Sequence, residues 1–197
     1  PRMAMNQPSP HTLLTALDEA CAYIRERWQG SPDFGIVAGS GLSALGDLVE
    51  DAVRIPYSEI PNMPRTAVVG HAGELVLGTL EGLTVVVLSG RVHRYEGHPL
   101  TDCVFGVRMI ARLGTPRVLI TNAAGGIVPE FVPGTLCRIT DHINATGENP
   151  LFGLNIDALG PRFPDMTRAY STELGATLER AAERVGVALE RGVYAMM

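Results

Sequence analysis

Three short stretches of this sequence gather the side chains able to do chemistry. "GSG" sets Ser40 between Gly39 and Gly41, "SGRVHRYEGHP" carries Arg91, His93, Tyr95 and Glu96, and "TNAAGG" ends in Gly125 and Gly126. Residues two apart in an extended segment project to the same side, so Arg91 and His93 face one anion together. The planar fork of an arginine matches phosphate, and a charge-assisted bond of that kind contributes roughly 1.5–3 kcal/mol. Glycine turns let backbone N–H groups close on the same anion, with the Ser40 hydroxyl beside them. Tyr95, again two residues on, offers its hydroxyl to a sugar. Glu96 points elsewhere, to orient a histidine or to pair with Arg94. His71 lies in "VVGHAGEL", a small-residue setting that favours a cleft over the core.

These residues need elements that bring them together. Each stretch follows or closes an apolar run: "FGIVAGSG", "VVVLSGRVH" and "VLITNAAGG". In open α/β sheets ligands sit outside the carboxyl ends of strands, so polar groups from three such ends can share one pocket. Ahead of them, "SPHTLLTALDEACAYIRERWQG" reads as an amphipathic helix, capped by Ser9 and stopped at Gly30. "LSALGDLV" is a short helix, and Glu81–Gly82 joins "ELVLGTL" to "LTVVVLSG" as a hairpin. "LTDCVFGVRMIARLG" is helical with Val104, Val107, Ile110, Ala111 and Leu113 inward, and leads to the next strand as in a βαβ crossover. "TLCRITDHINAT" is a further strand, "GENPLFGLNIDALGPRFPDM" a long loop, "STELGATLERAAERVG" a helix and "GVYAMM" a final strand. The pattern predicts one α/β domain over 1–197, with a mixed central β-sheet flanked by helices.

Composition narrows the chemistry. The 197 residues are 46% hydrophobic and 19% charged with a formal charge of −5, which fits a soluble globular protein and offers no dense basic stretch for nucleic acid. All 16 basic residues are arginine. The chain therefore has no Schiff-base lysine, no pyridoxal anchor and no lysine-bearing phosphate loop. Cys21, Cys103 and Cys137 are odd in number and widely spaced, and read as core thiols. The histidines do not stand at metal-ligand spacing, and no G-x-S-x-G elbow is present. "GSGLSA" satisfies a dinucleotide fingerprint, but the next suitable acid, Glu59, lies among turn residues. With neither a membrane span nor a signal peptide pattern, the expected location is the cytoplasm. The chain stops within a strand and reads as cut short.

The ordered set "GSGL", "IPNMPRTAVVGHAGELVLG", "SGRVHRYEGHP", "LITNAAGG", "ITDHIN", "NPL" and "RFPDM" resembles the trimeric, low-molecular-mass class of purine nucleoside phosphorylases from about residue 32 onward. The methylthioadenosine phosphorylases are the nearest confusion, but "GSG" and "NAAGG" favour the purine nucleoside branch. The resemblance implies a three-layer, nucleoside phosphorylase-like α/β fold, incomplete at its C-terminal end. It implies phosphorolysis of a 6-oxopurine nucleoside to free base and pentose 1-phosphate, with inorganic phosphate as co-substrate and neither metal nor organic cofactor. Phosphate would be held by Ser40, His71, Arg91, His93 and the backbone N–H of Ala123. Catalytic roles fall to Arg91, His93 and Tyr95. Tyr95 and Phe163 would contact the ribose, Phe163 from the neighbouring subunit of a homotrimer. The base-reading residues of the family follow "YAMM", beyond Met197. An inactive relative that keeps only an anion-binding or oligomerising role is the alternative.

Overall fold

The sheet at the centre of the chain is built around strands whose residues are buried on both faces. Its arrangement is seen in a computed structural model that describes residues 9–39, 41–65 and 73–197. Strands β1 (Phe34–Ala38), β2 (Glu50–Pro56), β3 (Glu74–Leu80), β4 (Leu83–Ser89) and β5 (Val118–Ile120) form one sheet in the order β2-β3-β4-β1-β5. β4, β1 and β5 run parallel, whereas β3 pairs antiparallel with both β2 and β4. The sheet is mixed, and the β3–β4 hairpin turns at Glu81 and Gly82, both at positive φ as a two-residue I′ turn requires.

Helices cover the sheet. Helix α1 (Pro10–Arg27) is capped by the Ser9 hydroxyl, which accepts from Thr12 N–H, and buries Leu13, Leu17, Ala20, Cys21 and Ile24. It lies against α3 (Phe105–Arg112), where the Cys21 thiol donates to the Met109 carbonyl. Burial raises that thiol to a pKa of about 11. Ile110 of α3 lies so close to β1 that a Cβ on Gly35 would stand 3.1 Å from its Cδ1. On the opposite face Ile36, Ala38, Val76, Val85 and Val87 cluster with Val49 and with Leu45 of a 3-10 helix, Ser43–Leu48.

Three local expectations change. The helix after Pro99 breaks at Val104 into α2 (Leu100–Cys103) and α3. The break resets the phase, so Phe105, Gly106, Met109, Ile110 and Leu113 are buried, while Val104 and Val107 are half-buried and Ala111 is exposed. β2 has no counterpart in the sequence reading. Asp51 sits at positive φ, the register shifts between Glu50 and Val53, and Ile55 is its one buried residue, all marks of a bulged edge strand. Finally, only Cys21 is a core thiol: Cys103 is half-buried and Cys137 exposed.

Chain contacts define two compact units. The first comprises residues 1–123 and 150–155, the second 124–149 and 156–197. In the second, β6 (Leu136–Asn144) and β7 (Leu189–Met196) form a separate parallel pair, accompanied by α4 (Thr172–Val185). Among the described residues no helix is long and apolar enough to cross a membrane.

Candidate anion site

Three strand ends that are remote in sequence are adjacent in the first unit. The parallel registers Ala38↔Ser89 and Val37↔Ile120 bring the segments after β1, β4 and β5 to one edge of the sheet. Thr121 ties them together. Its N–H and its hydroxyl both donate to Val37 O, its Oγ1 accepts the Gly39 N–H at 2.8 Å, and its carbonyl accepts from Arg91 Nη1 at 2.9 Å. Gly39 is glycine for a steric reason: a Cβ there would overlap the Thr121 carbonyl and lie 3.1 Å from Asn122 Cα.

Arg91 and His93 do face each other. Arg91 Nε donates to His93 Nε2 at 3.4 Å. Glu96 Oε1 accepts from His93 N–H at 2.8 Å and lies 2.9 Å from Nδ1. With Glu96 as a carboxylate the proton of that second contact belongs to Nδ1, which leaves the Nε2 lone pair toward Arg91. The Glu96 side chain, 5% exposed, thus orients a histidine here. Tyr95 stacks on the His93 ring, centroids 4.8 Å apart and planes 18° from parallel, with most of its own surface in solvent.

Electrostatics follow from these partners. Among the described residues Arg91 meets a carbonyl and an imidazole and no carboxylate, so its charge is left for an anion from outside. A cleft of about 170 Å³ adjoins it, lined by Val37, Leu88, Val92 and Ile120 together with Arg91 and Tyr57. Apolar walls beside a guanidinium weaken competition from water and strengthen its hold on an anion. No group of three or more His, Cys, Asp or Glu among the described residues could hold a metal ion.

The sequence-derived site residues divide as follows. His93 touches both Arg91 and Tyr95, and Ala123 stands exposed two residues past Thr121 on the same strand end. Ser40 and His71 lie outside the described residues. Phe163 belongs to the second unit and is 86% exposed. Sequence reasoning passed over Thr121, although a hydroxyl at the end of "VLIT" was the available signal, and it passed over Tyr57, for which no local signal existed.

Comparison with known proteins supplies the frame for this geometry. Residues 33–197 match the family model described as the phosphorylase superfamily. Purine nucleoside phosphorylase 1 of Geobacillus stearothermophilus is 48% identical over 180 residues, which cover 91% of this chain and 66% of that protein. The Bos taurus purine nucleoside phosphorylase is 41% identical over 171 residues, covering 84% and 59% respectively. Among solved structures, Schistosoma mansoni purine nucleoside phosphorylase in complex with inosine superposes with a TM-score of 0.88 at 37% identity, over 93% of this chain and 66% of that one. Isoform 2 from the same organism, in complex with cytosine and ribose-1-phosphate, gives 0.87 at 39% identity, again over 93% and 66%. The chain thus spans about two thirds of the length of these relatives, or less.

Proposed function

Because this chain belongs to the phosphorylase superfamily, within its low-molecular-mass class of purine nucleoside phosphorylases, we propose that the protein cleaves 6-oxopurine nucleosides with inorganic phosphate in purine salvage. One observation carries the reading: a guanidinium with no carboxylate partner among the described residues, held by Thr121 O and facing His93, where three parallel strands end.

In this reading phosphate binds Arg91, His93 and the backbone N–H of Ala123, joined by Ser40 and His71. Tyr95 lies along the ribose. Phe163, exposed on its loop, closes the sugar of a neighbouring subunit in a homotrimer. As the glycosidic bond lengthens, positive charge grows on the sugar and negative charge on the purine. A phosphate fixed beneath the ring stabilises the first and is the nucleophile. One phosphate oxygen forms the new bond to C1′, the C–N bond breaks, and the purine leaves with the electron pair and takes up a proton. Free base and (deoxy)ribose 1-phosphate result. Inorganic phosphate is a co-substrate, and the reaction uses no organic cofactor or metal. The location consistent with salvage is the cytoplasm.

The test is turnover of inosine, followed as hypoxanthine release against phosphate concentration. Arg91→Ala is expected to raise the phosphate requirement by about tenfold or more, the loss of one charge-assisted pair. An unchanged phosphate dependence overturns the assignment. Phosphate binding without turnover would instead favour the anion-binding relative.

A further inference from the structure

The mixed sheet carries a row of residues just beyond its last paired positions. Pro56 pairs with Glu74 and Glu74 with Ser89, so the next row is Tyr57, Gly73 and Gly90. Tyr57 spans all of it. Its N–H donates to Gly73 O at 2.8 Å and its hydroxyl donates to Gly90 O at 2.8 Å. Its ring occupies the space over Gly73, where a Cβ would overlap the ring carbons, and Gly90 at φ 95° brings its backbone within 3.6 Å, Cβ position to Cα, of Gly73. Gly90 directly precedes Arg91.

We propose that Tyr57 is a positioning residue for the anion site: its hydroxyl, anchored on Gly90 O, fixes the turn that aims Arg91 and His93. This inference rests on the phosphate reading of that site and extends it to a residue that acts on the site through Gly90. The physical case has three parts. Gly90 at positive φ has shallow backbone preferences, so an external donor decides which turn it holds. Tyr57 is 3% exposed and cannot swing away without opening the sheet end. Burial, reinforced by the charge of Glu74, raises its phenol far above the usual range, so it stays a donor wherever the protein is folded. A guanidinium fork loses most of its advantage when displaced by a fraction of an ångström.

The experiment is calorimetric titration of the folded chain with inorganic phosphate. Tyr57→Phe keeps the ring over Gly73 and removes only the hydroxyl. Its dissociation constant for phosphate is expected to rise about fivefold, the worth of one neutral hydrogen bond. Ile24→Val, in the buried face of α1, lowers Tm without approaching the site and is expected to leave that constant unchanged. In the unaltered chain with ¹³C-labelled tyrosine, the Cζ resonance of Tyr57 is expected to move on saturation with phosphate, a readout that needs no variant. Phosphate uptake that Tyr57→Phe leaves unchanged, or a Tyr57 resonance that does not move, overturns this inference alone. Absence of phosphate uptake by the unaltered chain overturns the reading of the site, and the inference with it. Equal weakening by Ile24→Val reduces Tyr57 to general support of the fold and overturns the positioning role.

Discussion

Strands β4 and β6 each run parallel to a partner, β1 and β7 respectively, yet β4 holds Val85, Val86, Val87 and Leu88 out of solvent whereas no residue of β6 is buried. Parallel strands are normally covered on both faces, and β1 and β4 obey this, with α3 on one face and the Ser43–Leu48 helix on the other. The second unit joins its pieces with charge. Glu179 on α4 accepts from Arg138 of β6 at 2.8 Å and from Arg191 of β7 at 2.6 Å. The Arg138 guanidinium passes so close to the helix that a Cβ on Gly175 would overlap it. Of the apolar β-branched residues in the pair, Ile143 and Val193 are 59% and 58% exposed and Ile139 is half-buried. Apolar burial holds one unit and an ion cluster the other, so they should fail under different stresses.

The largest effect expected from this contrast is in the five-stranded sheet. Leu77→Ala, at a fully buried position of β3, should cost about 2–5 kcal/mol in chemical denaturation, from lost transfer energy plus the cavity left behind. A smaller loss is expected from acid or from Glu179→Gln. The hydrogen bond from Arg191, with help from Arg138, holds the Glu179 carboxyl below its ordinary 4.5. A depressed folded-state pKa gives stability that is present above the ordinary value and is lost as pH falls through the lower one. Amide protection at β6 and β7, taken relative to the intrinsic exchange rate at each pH, should therefore fall below pH 4.5 while that of β4 is kept, and Glu179→Gln should show the weaker protection already at neutral pH. The smallest effect belongs to Val193→Ser, within about 0.5 kcal/mol because the side chain already stands in water. If Val193→Ser proved as costly as Leu77→Ala, the contrast between the units would be gone.

What could be read in advance divides along the same physical line. The β3–β4 hairpin was legible because Glu81–Gly82 can take two positive φ angles and the flanking runs are apolar throughout. The α1 face was legible because a regular 3.6-residue period survives along its whole length. β2 was not, since a bulge at Asp51 interrupts the alternation on which strand reading depends. The inward face of α3 was misphased because nothing local announces the break at Val104. In the candidate site, the two-residue spacing of Arg91 and His93 was enough to place them face to face. The Thr121 link to Arg91 was not, being a contact across 30 positions of chain.

By itself the sequence determined the strands other than β2, their apolar content, the turn chemistry at their ends and the kinds of group available there, because these follow from side-chain type and local period. It also determined the family, since ordered motifs over most of the chain carry that likeness. The tertiary structure decided the lateral strand order, with β1 between β4 and β5. That order sets Thr121 O against Arg91, and the pairing of β2 with β3 seats Tyr57 over Gly73. Hydrophobic burial rewards any arrangement that covers the strands, so a list of apolar runs leaves their neighbours open. Hydrogen-bond geometry is directional, and only the folded backbone states which donor reaches which acceptor.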